Sequence, residues 1–417
     1  MSNYTFFFDE ALHDRKIGIL DDGDFNFLKD ASFDVYIGAF WGIRTKKVSN
    51  IYTLLESFEN AQKQRYGLDD DQELKSTTIG KKNFRYGLRS LNHNSYCFYN
   101  DLFDMLHGML PVVHITMISK MELYLRHFFQ NFDIKLGINE QKLFYYSITK
   151  FIIVYGTEQL RNELLEVQNE SDMDHFIDSM ISELQTIINK TRGIPRKSGE
   201  VAAFKQLIQT LKNSNKAKGI VEKQYPFEYS CSFDGLCRLL EEKRINISTT
   251  EIIIDEEINT LKAAQLYRFE KTKSLKSHQS IELRLSDWIA GFLGRMVVAL
   301  NKDSGINEHY ESIEELDEKD IVSKHLLSSE WFDINKDVFD LYQKAFQVFI
   351  LDREYDYWAT MTGSYSDSTV FFYSLLRYFG SYHDYDSYKC VTNQMHSEYF
   401  NSCACNGLSQ AYLNMCK

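Results

Sequence analysis

Three short stretches of this chain carry an apolar run into carboxylates. "YTFFFDEA" delivers Asp9 and Glu10, "TEIIIDEE" delivers Asp255, Glu256 and Glu257, and "RLSDWIAG" sets Asp287 in an otherwise apolar helix face. If parallel neighbouring strands bring such ends together, the carboxylates crowd. At about 4 Å each like-charge contact costs roughly 4 kcal/mol at an effective dielectric near 20, so a cluster calls for a cation or a shared proton. Oxygen ligands of this kind suit Mg²⁺ or Mn²⁺. Two such ions can activate water on one side of a phosphodiester and steady the leaving oxygen on the other, with no side-chain nucleophile. Each stretch also has a plainer reading. Asp9-Glu10 is a solvated strand end, and Asp255 to Glu257 are the acidic first turn of a following helix, favoured by its dipole. Asp287 is harder to dismiss, because Leu285, Trp288 and Ile289 flank it and Gly291 and Gly294 let its helix pack close to a sheet.

The elements that would position these groups are legible from periodicity. "YTFFFD" reads as a buried strand, and "FDVYIGAFWGI" (33–43) as a second, aromatic and β-branched with Gly inside. Residues 51–66 have helical spacing, "ELKSTT" lies in a charged loop, and another helix spans about 92–108. "PVVHITMIS" (111–119) is a buried strand; 120–190 is helical throughout; "GIPRKSG" is a loop leading into the helix "EVAAFKQLIQTLKN". Strand character returns at 250–257, and a helix follows at 280–301. The charge-rich 309–320 is a connector opening a separate helical region, and the many tyrosines beyond it are spaced for packing rather than for base stacking.

Bulk properties narrow the class. A length of 417 residues with 44% hydrophobic content is a folded chain with a full core. A net charge of −12 excludes coating nucleic acid by bulk attraction, which needs local Lys and Arg. One segment reverses the sign. Residues 190–223 hold Lys190, Arg192, Arg196, Lys197, Lys205, Lys212, Lys216, Lys218 and Lys223 against Glu200 and Glu222 alone, a possible nucleic-acid track or a solvated loop. Seven scattered cysteines without metal-ligand spacing are expected as reduced thiols of a cytoplasmic protein. The start "MSNYTFFFDE" lacks the basic and apolar regions of a signal peptide, and no apolar run approaches the roughly 18 residues of a membrane span. The histidines form no zinc spacing, and no phosphate-cradling or dinucleotide fingerprint occurs.

The carboxylate motifs together resemble the RNase H-like family catalogued as domain of unknown function 3800. That family opens with a strand ending Asp-Glu-Ser, carries a Glu-x-Lys motif, and closes its core with a Ser-x-x-Ser-x-Gly-Ile-Gln-Leu-Ala-Asp-x-x-Ala-Gly helix. Here "FFFDEA" offers Asp9 and Glu10, "QELKSTT" offers Glu73 and Lys75, and "SHQSIELRLSDWIAG" keeps Ser277, Ser280, Leu285, Asp287, Ala290 and Gly291. Ala11, Glu282, Arg284 and Ser286 depart from the pattern, and Lys276 stands where many members have Asp.

The resemblance implies an α/β fold: a mixed sheet with helices on both faces, its core spanning 1–120 and 226–300, with a helical insertion at 121–225 and a helical C-terminal region at 301–417. It further implies "YTFFFD" as the central strand, "VVHITMIS" as its parallel neighbour and "EIIID" as the outer strand. By the same resemblance Asp9 and Asp287 lead as ligands of Mg²⁺ or Mn²⁺, with Asp255 and Glu73 next. Glu10 is set apart, because adjacent strand residues point to opposite faces. Lys75 either steadies a scissile phosphate or pairs with Glu73. The activity implied is that of a metal-dependent nuclease in a prokaryotic anti-phage or mobile-element setting. The alternative is a decayed site in a binding or scaffolding subunit, where Lys276 and Arg284 replace the cation. Protein partners or a second copy would meet the helical regions.

Overall fold

The structure, a computed structural model, describes residues 3–18, 20–21, 25–131, 136–214, 230–304, 326–353 and 366–415. Lys216, Lys218, Lys223 and the connector 309–320 lie outside these residues.

Five strands form one mixed sheet: β1 (Tyr4–Ala11), β2 (Val35–Arg44), β3 (Val112–Ser119), β4 (Thr250–Ile254) and β5 (Lys271–Ser274), in the spatial order β3-β2-β1-β4-β5. β1–β2 and β2–β3 are antiparallel, while β1–β4 and β4–β5 are parallel. β1 is central, as its aromatic run requires, because both its faces must be covered. Two expectations are corrected. "VVHITMIS" is the far edge beyond β2 rather than the parallel neighbour of β1, and that neighbour is β4, which is not the outer strand. The outer strand is β5, four polar residues "KTKS" whose edge position exempts them from the apolar alternation that reveals a strand.

The pleat sorts side chains onto two faces. Phe7, Ile37, Ala39, Trp41, Val113, Ile115 and Met117 join one core with the helix α11 (Ile281–Asp303). Phe6, Phe8, Phe40, Ile252 and Ile254 join another with Phe233, Leu236 and Leu240 of α9 (Cys231–Glu242) and Ala264 of α10 (Ile258–Gln265). Two glycines make room on the second face. A Cβ on Gly42 would stand 2.4 Å from the Phe6 ring, and one on Gly38 would stand 2.9 Å from Phe8.

The remaining helices support this frame. α1 is a single turn (Asn26–Lys29), and α2 (Val48–Tyr66) and α3 (His93–Met109) follow. The helical stretch after β3 resolves into α4 (Lys120–Phe128), α5 (Ile138–Val154), α6 (Glu158–Glu166), α7 (Glu170–Lys190) and α8 (Ser198–Asn213), around a core of its own. Beyond α11, α12 (Lys336–Phe349), α13 (Ser366–Gly380), α14 (Tyr385–Tyr388) and α15 (Asn393–Met415) complete the order. These C-terminal helices share the α11 core through Phe349, Phe372, Phe379 and Phe400. Tyr388 stacks on the buried His396 at 3.9 Å between ring centres, and Tyr378 donates toward His396 Nδ1 at 2.7 Å, so these tyrosines are spent on packing.

Gly42→Ala is expected to lose about 1–3 kcal/mol of stability by forcing the Phe6 ring off its seat. Urea unfolding followed by circular dichroism measures this; an unchanged midpoint would mean that β2 has slack at that point.

Candidate metal centre

Parity along β1 separates its two acids. Asp9 follows Phe7 onto the α11 face; Glu10 follows Phe8 onto the other. β1 and β4 run parallel with Phe7 beside Ile253 and Phe8 beside Ile254. Asp255, the residue after β4, therefore leaves its strand end next to Asp9 and on the same side. From above that face α11 contributes Asp287.

Electrostatics records the meeting. Burial, then the negative field of Asp287, lift the Asp9 carboxyl well above its ordinary range, with Asp255 and Glu10 adding to the rise and the Glu10 N–H opposing it. Burial also lifts Asp287, against the pull of its Ser76 hydrogen bonds and of the Arg295 guanidinium. Asp9 and Asp255 each accept a bond from the next backbone N–H, Glu10 N at 2.7 Å and Glu256 N at 2.8 Å, and Ser277 N donates to Asp255 at 3.1 Å. Among the described residues no three His, Cys, Asp or Glu form a ready cage for one ion. The three aspartates are neighbours through their fields, not a closed ligand set.

An open depression of about 590 Å³ lies beside Asp9 and Asp255, with Glu10, His13, Glu256, Glu257 and Ile258 among its walls. Glu10 is buried there, accepting from Tyr36 Oη at 3.0 Å; burial, chiefly, raises its carboxyl. The loop leaving β1 is pinned by the buried Lys120, which donates to the carbonyls of Leu12, at 2.6 Å, and Arg15. Leu12 takes the left-handed φ of 65°, and burial pulls the Lys120 ammonium down to about 8.

The two readings of "DEE" divide by residue. Glu257 is the N-cap of α10, its side chain accepting from Asn259 N at 3.2 Å, so the helix-start reading holds for it. Asp255 belongs to the strand end.

The Glu-x-Lys loop reaches the centre through a residue the sequence did not single out. Ser76 donates to both oxygens of Asp287, from its N–H at 2.7 Å and its hydroxyl at 2.6 Å. Its own carbonyl accepts from Arg295 Nη2. Asp287, Gly291 and Arg295 are four residues apart, one helical stripe, and a Cβ on Gly291 would stand 2.4 Å from Ser76 Cβ. The glycine thus admits the loop, not the sheet. A Cβ on Gly294 would stand 3.5 Å from Leu12, 3.7 Å from Ile37 and 3.9 Å from Ala11, so that glycine does face the sheet, at ordinary contact distance. Glu73 pairs with Lys75 at 3.4 Å and adds to the negative field on Asp287, while Lys75 is 56% exposed. The spacing of Arg295 from Asp287 was the available signal for that residue; nothing local marked Ser76.

The two cations of the alternative reading pair with carboxylates other than the three aspartates. Arg284 Nη2 meets the buried Glu59 at 2.5 Å and its Nη1 donates to the Ser277 carbonyl, while Lys276 lies 3.6 Å from Glu256 at the surface. In the basic run, Lys190, Arg192, Lys205 and Lys212 are exposed, whereas Lys197 is held by Glu200 at 2.8 Å and by Tyr155.

No known family, curated protein or solved structure matches the chain.

Two measurements probe this arrangement. Ser76→Ala removes one donor from Asp287, so the Asp287 carboxyl should move still higher in a carbon-detected NMR titration; an unmoved curve would deny Ser76 its hold. The raised Asp9 means that folding binds a proton. Its stabilising contribution is full below the ordinary carboxylate value and lost as pH rises through the raised one. Without divalent cations Asp9→Asn should therefore melt higher than the native chain near about pH 8, by roughly 2–4 °C per kcal/mol relieved, with the gap closing in acid. A gap independent of pH would contradict the crowding.

Proposed function

We propose that this protein is a divalent-metal-dependent phosphodiesterase acting on nucleic acid, built on an RNase H-like sheet. The observation that carries the reading is the convergence of Asp9, Asp255 and Asp287 from two parallel neighbouring strands and one helix onto a single face, with Asp9 raised by burial and then by the fields of Asp287 and Asp255. The strand order β3-β2-β1-β4-β5, antiparallel through β1 and parallel beyond it, supports the RNase H-like part.

The donor set fits Mg²⁺ or Mn²⁺: hard carboxylate oxygens, several already oriented by backbone N–H groups, beside an open depression that admits water and substrate. Asp9, Asp255 and Asp287 would hold the ions, with Glu73 as a further oxygen at the rim. When bound, such ions supply an activated water and neutralise charge on the leaving oxygen. Ser76 fixes the direction of Asp287 through two hydrogen bonds, and loss of such support to a metal ligand typically costs 10–100-fold in metal affinity. Lys75, exposed at the rim, is free to swing from Glu73 to a phosphate oxygen.

One observation favours the binding-only alternative: Arg295 already acts on Asp287 as a permanent cation. The two readings part on Mn²⁺. For the phosphodiesterase, Mn²⁺ should raise the melting temperature and support cleavage of labelled single-stranded, duplex or hybrid nucleic acid. EDTA should abolish the cleavage, and Asp287→Asn should lower it by roughly 100-fold or more. Cleavage that survives both EDTA and Asp287→Asn would refute the assignment. A chain that neither binds Mn²⁺ nor cleaves any of these substrates would leave the binding role.

A further inference from the structure

Pleat parity continues past the metal centre to the edge of the sheet. On β4, Ile252 and Ile254 enter the α9 core, while Ile253 packs toward the α11 core. Glu251, Ile253 and Asp255 therefore share the face of Asp9. The parallel register pairs Glu251 with Lys271 and Ile253 with Lys273, so the two β5 lysines point to that same face. α11 packs mainly across β1 and β2, Ile253 of β4 reaches its core, and on this face of β5 Lys271 and Lys273 are exposed. The result is an open ledge two strands wide, about 5 Å from strand to strand. Lysines line its outer edge and the aspartates stand at its head. Its end is tied to the centre, since Ser277 N donates to Asp255 a few residues after β5.

The charges on the ledge are specific. Lys271 is exposed and makes no ion pair with the described residues; Lys273 is 47% exposed and meets Glu251 at 2.5 Å; Lys276, past the strand, is half-exposed opposite Glu256. Lys271 and Lys273 are two strand residues apart, roughly 6.6 Å, a spacing suited to consecutive phosphates of an extended chain. In a protein of net charge −12, cations set in a row beside an acidic centre give a polyanion local attraction there.

We propose that this ledge seats the phosphodiester backbone of single-stranded nucleic acid, Lys271 and Lys273 contacting phosphates next to the one that meets the aspartates. The inference rests on the phosphodiesterase reading and names its substrate path. It assigns that path to β5 rather than to the basic run at 190–212. Lysines on an edge strand also deter edge-to-edge pairing between copies, and the experiment must separate the two roles.

The full-length protein carrying Lys271→Glu and Lys273→Glu would be compared with the native chain. Fluorescence anisotropy with labelled single-stranded RNA and DNA in EDTA reads binding, and Mn²⁺-dependent cleavage reads KM. The ledge predicts roughly tenfold weaker binding, a matching rise in KM, and a log–log salt slope shallower by about 1.4, the value for two lost phosphate contacts on a single strand. Lys190→Glu with Arg192→Glu should bind as the native chain does. RNA and DNA arms that fall together indicate backbone contact. Native affinity and KM in the β5 variant would overturn the ledge, as would an unaltered salt slope accompanied by new oligomers in light scattering, or a loss of binding in the 190/192 variant instead. A native chain that neither binds nor cleaves nucleic acid sinks the phosphodiesterase reading, a result distinguishable from failure of the ledge alone.

Discussion

The arrangement depends on one register: β1 and β4 lie side by side and parallel, Phe7 beside Ile253. Because side chains alternate between faces, this pairing decides at once which groups face α11 and which face α9. It sets Asp9, within β1, beside Asp255, just past the end of β4, and turns Glu10 to the opposite side. A slip of one residue would exchange Phe7 for Phe8 in the α11 core and turn Glu10 instead of Asp9 toward Asp287. Aromatic packing against β2 fixes which face of β1 is turned to each core. Phe7 stacks with Trp41 at 4.8 Å, and Phe8 meets Phe40 at 4.2 Å. The apolar core thus sets the geometry of the charged centre, and the crowding of Asp9 is the electrostatic cost of a pairing that hydrophobic burial imposes.

The second support is α11. Its buried stripe holds it on β1 and β2, Trp41 Nε1 donates to its Glu282 carbonyl at 2.8 Å, and Trp288 Nε1 reaches back to the Leu74 carbonyl at 2.8 Å. The latter bond and the Ser76 clamp on Asp287 attach the loop at 73–78 to the helix at adjacent points. A loop that would otherwise be free to drift is thereby fixed to the face of the helix that carries the acid, and Gly291 is the gap through which it comes close. In the buried part of such a site, hydrogen bonds to carboxylate oxygens do what bulk water does for exposed ones.

Much of this was readable before the fold was known, for identifiable reasons. β1, β2, β3 and β4 announce themselves by aromatic and β-branched runs because they are buried. Strict alternation was enough to separate Asp9 from Glu10. β5 is invisible in the sequence, since an edge strand of Lys, Thr, Lys and Ser has no apolar face to betray it, so nothing local corrects the family plan that makes β4 the outer strand. Ser76 was equally hidden: its partner lies 211 residues away, and no local pattern encodes a contact of that range. Lys276 and Arg284 were legible as residues but not as neighbours. The fold pairs Lys276 with Glu256, in the wall of the same depression, and Arg284 with Glu59.

The pairing of β1 with β4 joins segments whose partners sit almost 250 residues apart in the chain. During synthesis at roughly 5–20 residues per second, β1 waits on the order of 10–50 s for that neighbour, with β2 alone beside it. Until then the edge of β1 that β4 will cover keeps its backbone groups unpaired with that strand. The same wait means that no partial product of translation can assemble the acidic centre before most of the polypeptide has emerged.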